Sequence, residues 1–159
     1  MLEFKLLLIL IVGNGVPVIL YRCFGDAFSK PVDGGYKLPD GARLFGGSKT
    51  WRGFFAGIIG AAIAALLLGF TVVFGLFFGF LSLSGDLVSS FIKRRMKQPE
   101  SNQSVGIDQI PEAFIPLVVG AFWLNYGVST IVIVTLSFFL LNVLVSPILY
   151  QFGIRKHPH

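Results

Sequence analysis

The sequence predicts an all-α integral membrane protein with five transmembrane helices and two cytoplasmic loops, its N-terminus outside and its C-terminus cytoplasmic. Three observations predict it. Apolar residues make up 54% of the 159 residues and the mean hydropathy is +0.78, which excludes an ordinary soluble domain. Two stretches, from Arg52 to Asp86 and from Glu112 to Arg155, contain no charged residue between those limits. Finally, a five-span count puts 12 of the 13 Lys and Arg residues on one side, which the positive-inside rule makes the cytoplasm. The whole of residues 1–159 reads as one membrane-embedded domain.

The first span covers about residues 4–21 and carries Asn14 and Pro17. No small-x-small cleavage site follows it and its trailing flank is basic, so it reads as a span rather than a removed signal peptide. Cys23 stands alone, which excludes an intramolecular disulfide, and is expected to pack near the end of this span. The charge-free stretch after Arg52 would be about 50 Å long as one helix, against about 30 Å of hydrocarbon. It must therefore fold back, giving spans at about 53–69 and 72–93 with a turn near Gly69–Thr71. The second charge-free stretch breaks best at Asn125-Tyr126-Gly127, giving a short fourth span at 111–125 and a fifth at 128–150.

Two cytoplasmic loops remain, 22–52 and 94–110. The first is rich in glycine and ends Gly46-Gly47-Ser48-Lys49-Thr50-Trp51-Arg52-Gly53. Backbone N–H groups in such loops form anion nests, and a helix N-terminus follows directly. Lys49, Thr50 and Arg52 would add charge and hydroxyl contacts to phosphate there. A plain connecting loop rich in turns would have the same composition. Gly41 and Gly46 have P-loop spacing, but Gly47 rather than Lys follows and no strand precedes, so that motif is excluded.

The third span holds Asp86, the one acid inside a long apolar run, and then ends in Lys93-Arg94-Arg95-Met96-Lys97. At helical spacing Ser82, Asp86, Ser89, Ser90, Lys93 and Lys97 share one face. A carboxylate at membrane depth is costly, so the stripe is either a packing Asp with a nearby cation or a metal-and-phosphate site. The second loop brings Asp108 just before the fourth span. If it folds back, Asp108 and Asp86 would share a cation such as Mg²⁺, which takes hard oxygen ligands. A solvated Asp at a helix start would look the same.

Several elements in order resemble the CDP-archaeol synthase family, the archaeal ether-lipid branch of the lipid cytidylyltransferases. They are Asn14 with Pro17, Asp33, Asp40-Gly41, Lys49-Thr50-Trp51-Arg52-Gly53, Gly85-Asp86 with Ser90, Lys93-Arg94-Arg95, and Asp108-Gln109 with Pro111. The Lys-Thr-Trp-x-Gly and Gly-Asp-x-x-x-Ser-x-x-Lys-Arg elements are also similar to the bacterial CDP-diacylglycerol synthases. The chain lacks that branch's extra spans and its His-Gly-Gly segment, which favours the archaeal branch.

The resemblance implies transfer of CMP from CTP to the phosphate of an unsaturated archaeol-type ether lipid, 2,3-bis-O-geranylgeranyl-glycerol 1-phosphate, releasing pyrophosphate. It implies Asp86, Lys93 and Asp108 as catalytic residues, with Mg²⁺ on Asp86 and Asp108. It also implies Asp33, Lys49, Thr50, Arg52, Ser90 and Arg94 as contacts to CTP and the lipid phosphate. Its partners would be CTP, the isoprenoid ether-lipid phosphate and membrane lipids, with no nucleic acid. Two other readings fit the residues: a CTP-dependent polyprenol or phytol kinase, and a membrane transporter subunit using Asp86 for ion coupling.

Overall fold

The computed structural model describes residues 1–99 and 106–151, with side chains described up to residue 145. Five helices follow one another: α1 Leu2–Phe24, α2 Trp51–Leu67, α3 Val72–Arg95, α4 Gln109–Leu124 and α5 Val128–Gln151. Among the described residues the only strand-like pairing is two isolated bridges in the first loop. Helices α1 and α3 and the Val128–Val145 part of α5 are long and apolar enough to cross a membrane. The apolar helices α2 and α4 are shorter, at 17 and 16 residues. Ile59, Ile63, Phe77, Phe122 and Leu136 point outward, as befits a multi-pass membrane protein whose surroundings are apolar.

Local chemistry explains the helix ends. The hydroxyl oxygens of Thr50 and Thr71 accept from the N–H of Gly53 and Phe74, both at 3.2 Å, and cap α2 and α3. The expected hairpin turn between them passes through Gly69, at φ 86°. Asn125 ends α4 in the left-handed conformation that asparagine tolerates. Pro17 stays inside α1, where Asn14 donates both to Leu10 O at 3.0 Å and to Ser82 Oγ at 2.9 Å on α3.

Small residues set the close packing of α1, α2 and α3. A Cβ on Gly57 would lie 2.6 Å from the carbonyl oxygen of Gly13, so these two backbones touch. Around that seam Leu6, Leu10, Ala61, Ala65, Phe74, Phe78, Leu117 and Phe138 form one buried cluster reaching all five helices. Two expectations need correction. Cys23 is exposed rather than packed, because it lies in the last turn of α1 where the helix leaves its neighbours. Lys97 leaves the polar face of α3, because the helix stops at Arg95 and Lys97 takes φ 56° beyond it.

Candidate active site

The first loop closes on itself before it meets the helices. Val32 N–H donates to Lys49 O at 2.8 Å and Trp51 N–H to Lys30 O at 3.0 Å, so its two ends run side by side. Inside the loop, Leu44 N–H bonds Tyr36 O at 3.1 Å and Leu38 N–H bonds Ala42 O at 3.0 Å, around a tight bend at Pro39-Asp40-Gly41.

At its centre sits Asp33. Its carboxylate accepts from the N–H of Gly35 at 3.0 Å, Phe45 at 3.2 Å and Gly46 at 3.0 Å, and from the Arg43 guanidinium at 2.5 Å. Burial alone would raise its pKa. The Arg43 bond and the three backbone donors outweigh burial and push it down to about 2. The glycine-rich backbone does form an anion nest, as expected, but the anion in it is the chain's own Asp33. With its side chain fully buried, Asp33 is placed to shape the loop.

Lys49 leaves this loop toward α3 and reaches Asp86. Its ammonium donates to both carboxylate oxygens, at 2.6 and 2.5 Å. Burial disfavours the charge on Lys49. Asp86 first, with Glu112 and Asp108 behind it, outweighs burial and holds its pKa above the ordinary lysine value. Two turns further along α3, Lys93 pairs with Asp108 at 2.7 Å. Asp108 is the N-cap residue of α4, a place where Asp normally caps with its side chain, yet it makes no side-chain cap bond. Its carboxylate turns to Lys93 instead.

Glu112, in the first turn of α4, completes the group: its carboxyl lies beside that of Asp86. Three carboxyls thus face two ammonium groups, drawn from loop one, α3 and α4. In the sequence Glu112 stands out only as the limit of an apolar run. The signal that could have found it is its spacing of one turn after Asp108, which puts both acids on one face.

The other expected site residues divide. Ser90 is buried on the inner side of α3, beside Ser89, whose hydroxyl donates to Gly85 O at 3.0 Å. Arg94 is buried, donates to Pro99 O at 2.8 Å, and leaves its buried Nε without a partner. It lines a cleft of about 330 Å³ together with Asp40, Gly41, Ala42, Arg43, Lys97 and Gln98. Thr50 is occupied as the α2 cap. Arg52 is drawn to the carbonyls of Ala27 and Gly25 at the end of α1. Arg95, which carried no expected role of its own, bonds the Asp40 carboxylate and, at 2.7 Å, the carbonyl of Arg43, tying loop one to the end of α3.

An arrangement of this kind suits phosphate chemistry: paired acids for a hard cation, lysines for phosphate charge, and a basic cleft beside them. Comparison with known proteins bears on it directly. A family model described as "CarS-like: CDP-archaeol synthase" matches residues 4–74 and 68–159. A CDP-archaeol synthase of Thermococcus gammatolerans is 35% identical over 136 residues, spanning 75% of this chain and 70% of that protein. One of Pyrobaculum arsenaticum is 26% identical over 152 residues, spanning 92% and 91%. A solved structure described as "Structural insight into an intramembrane enzyme for archaeal membrane lipids biosynthesis" superposes with a TM-score of 0.68. It is 29% identical and covers 86% of this chain and 90% of its own. On these matches, which run through every segment of the site, the chain belongs to the CDP-archaeol synthase family.

Proposed function

We propose that the chain transfers CMP from CTP to the phosphate of 2,3-bis-O-geranylgeranyl-glycerol 1-phosphate, giving CDP-archaeol and pyrophosphate at the cytoplasmic face of the membrane. The observation that carries this reading is the Lys49–Asp86 and Lys93–Asp108 pairs lying together at the loop end of the helices. Five spans with the N-terminus outside put that end in the cytoplasm, where CTP is found. The basic residues of both loops support this orientation.

A phosphate oxygen of the lipid attacks the α-phosphorus of CTP. The bond from that phosphorus to the oxygen bridging to the β-phosphorus breaks, and pyrophosphate leaves. No protein nucleophile is needed, so catalysis is positioning and charge neutralisation. Lys49 and Lys93 supply ammonium groups for the triphosphate and the lipid phosphate, and Arg94 extends the positive lining into the cleft. Asp33, Thr50 and Arg52 serve the same contacts by fixing loop one, through the nest, the α2 cap and the α1 end.

Asp86 and Asp108 are the residues that would hold Mg²⁺. Among the described residues no three acidic, histidine or cysteine side chains could enclose a metal ion by themselves. Mg²⁺ does not ask for that: it is ordinarily held by one or two carboxylates, completed by substrate phosphates and water. Asp86 also already accommodates a cation, the Lys49 ammonium, against both its oxygens. The donor set therefore fits. When bound, the ion would neutralise charge on the triphosphate and on the departing pyrophosphate.

Purified protein with labelled CTP, Mg²⁺ and either ether- or ester-linked lipid phosphates tests the reading. CDP-lipid and pyrophosphate are expected, with the ether lipid preferred; with a polyprenol or phytol supplied in place of the lipid phosphate, formation of its phosphate and CDP would identify a kinase instead. The orientation has its own test in Cys23, exposed at the loop-one end of α1. A membrane-impermeant maleimide should reach it only from the cytoplasmic side.

A further inference from the structure

The lysines account for how Asp86 is neutralised but not for how it comes to face Glu112. That follows from the residue before it. A Cβ on Gly85 would lie 2.4 Å from Pro111 O, 2.6 Å from Pro111 C and 2.9 Å from Glu112 N. All three are backbone atoms of the first turn of α4, and backbone cannot rotate aside as a side chain can. The other two glycines of α3 do different work: Gly75 and Gly79 approach α2, where added Cβ atoms would meet Ala62, Ala65, Ala61 and Ile58. At Gly85 the backbone of α3 meets the backbone of α4.

The contact has a consequence in register. Asp86 follows Gly85 directly and Glu112 follows Pro111 directly, so two touching backbones bring two carboxyl-bearing residues to one level. A second tie lies one turn on, where the Ser89 hydroxyl donates to Gly85 O at 3.0 Å and also reaches Asp108 O at 3.3 Å. The seam therefore joins the stretch of α3 that carries Asp86 to the stretch of α4 that carries both Asp108 and Glu112.

We propose that Gly85 is a positioning residue: its missing side chain sets the separation of α3 and α4 so that Asp86 and Glu112 present their carboxyls to one divalent cation. This rests on the metal reading given above and adds to it both Glu112 and the residue that places it. A methyl group at position 85 displaces the first turn of α4, moving Glu112 and Asp108 away from Asp86 while leaving every charged side chain present.

Gly85→Ala, Gly79→Ala and Asp86→Asn are compared with the parent protein in detergent, with Mn²⁺ as probe. Binding is read from the paramagnetic resonance of the free ion, thermal unfolding from the same preparations, and the Mg²⁺ dependence of turnover separately. Gly85→Ala is expected to weaken Mn²⁺ binding about tenfold or more, the range seen when a ligand's support is removed. The half-saturating Mg²⁺ should rise in step, while the KM for lipid phosphate holds. Gly79→Ala, crowded against α2 rather than α4, should lower the melting temperature and leave Mn²⁺ affinity unchanged.

If Gly85→Ala binds Mn²⁺ like the parent while Asp86→Asn has lost it, the positioning role falls and the metal reading stands. If the parent binds no better than Asp86→Asn, both fall. Should Gly85→Ala not fold, Glu112→Asp asks the same question by withdrawing one carboxyl by a methylene without touching the seam. Parent-like Mn²⁺ affinity in that variant overturns the proposal.

Discussion

Asp33 and Asp86 are both aspartates removed from water, and they are neutralised in opposite ways. Asp33 is held by three backbone N–H groups and Arg43, all from its own loop and within 13 residues of it. Asp86 is held by a lysine 37 residues away, with a second acid beside it. Backbone donors cannot leave without unfolding the loop, whereas a lysine on a flexible four-carbon stem exchanges partners at little cost. A closed nest stabilises a shape; a carboxylate neutralised by a movable cation can exchange that cation for a metal or pass it to a phosphate.

The largest effect expected from this contrast is on Asp86. Asp86→Asn keeps the size of the side chain and removes its charge, so the protein should still fold. Turnover should fall by about a thousandfold or more, the scale of losing a central electrostatic contact in a phosphoryl-transfer site. Measuring unfolding and CDP-lipid formation on one preparation decides it: a folded variant with near-parent activity at saturating Mg²⁺ would break the contrast.

Asp33→Asn should show the reverse. Breaking a buried, hydrogen-bonded ion pair costs about 3 kcal/mol, so a clear loss of thermal stability and faster proteolysis within loop one are expected. Activity per folded molecule should suffer much less than in Asp86→Asn. Equal loss of activity with unchanged stability would mean that Asp33 touches substrate after all.

Lys49→Ala removes one charge-assisted contact to phosphate, worth about 1.5–3 kcal/mol. Efficiency with CTP should drop about ten- to a hundredfold, and more than efficiency with the lipid phosphate, because CTP carries more charge. An unchanged efficiency with CTP would make Lys49 only a counter-ion of Asp86.

The pH dependence sharpens the comparison further. Asp33 has a folded pKa of about 2, below the ordinary value of 3.8. Its contribution is therefore fully present above pH 3.8 and is lost as pH falls through about 2. The stability gap between the parent and Asp33→Asn should accordingly be constant near neutrality and narrow across that acid window. A gap that does not change there would mean the nest does not prefer the charged form.

The smallest effect belongs to the opposite end of the bundle. Lys5 donates to Leu68 O at 2.8 Å and lies 5.6 Å from the Phe70 ring, capping the last turn of α2. Lys5→Ala should cost about 1 kcal/mol of stability and leave turnover as it was. A loss of activity would show that the two ends are coupled.

Much of this was legible in the sequence, because it depends on local pattern. The positions of the five helices follow from charge-free stretches compared with the length of a helix, and the breaks at Gly69 and Asn125 follow from residues that adopt positive φ. Asp86 stood out because an acid in an apolar run is costly wherever it packs. Lys49, Lys93 and Asp108 could be nominated from order and spacing, but not paired. Which lysine meets which acid depends on how α3 turns against α4 and on how loop one folds back, and those are set by contacts between residues far apart in the chain.

The same reason hid Glu112, the exposure of Cys23 and the anion in the glycine-rich nest. A glycine-rich run reads alike whether its N–H groups await a phosphate or already hold Asp33. A glycine before an aspartate reads alike whether it faces open space or the backbone of another helix. The sequence by itself determined the five helices and which side chains carry charge into the apolar region. Only the tertiary structure decided which of those charges meet, because a contact such as Gly85 against Pro111 exists only where two helix backbones approach closely enough to exclude a side chain.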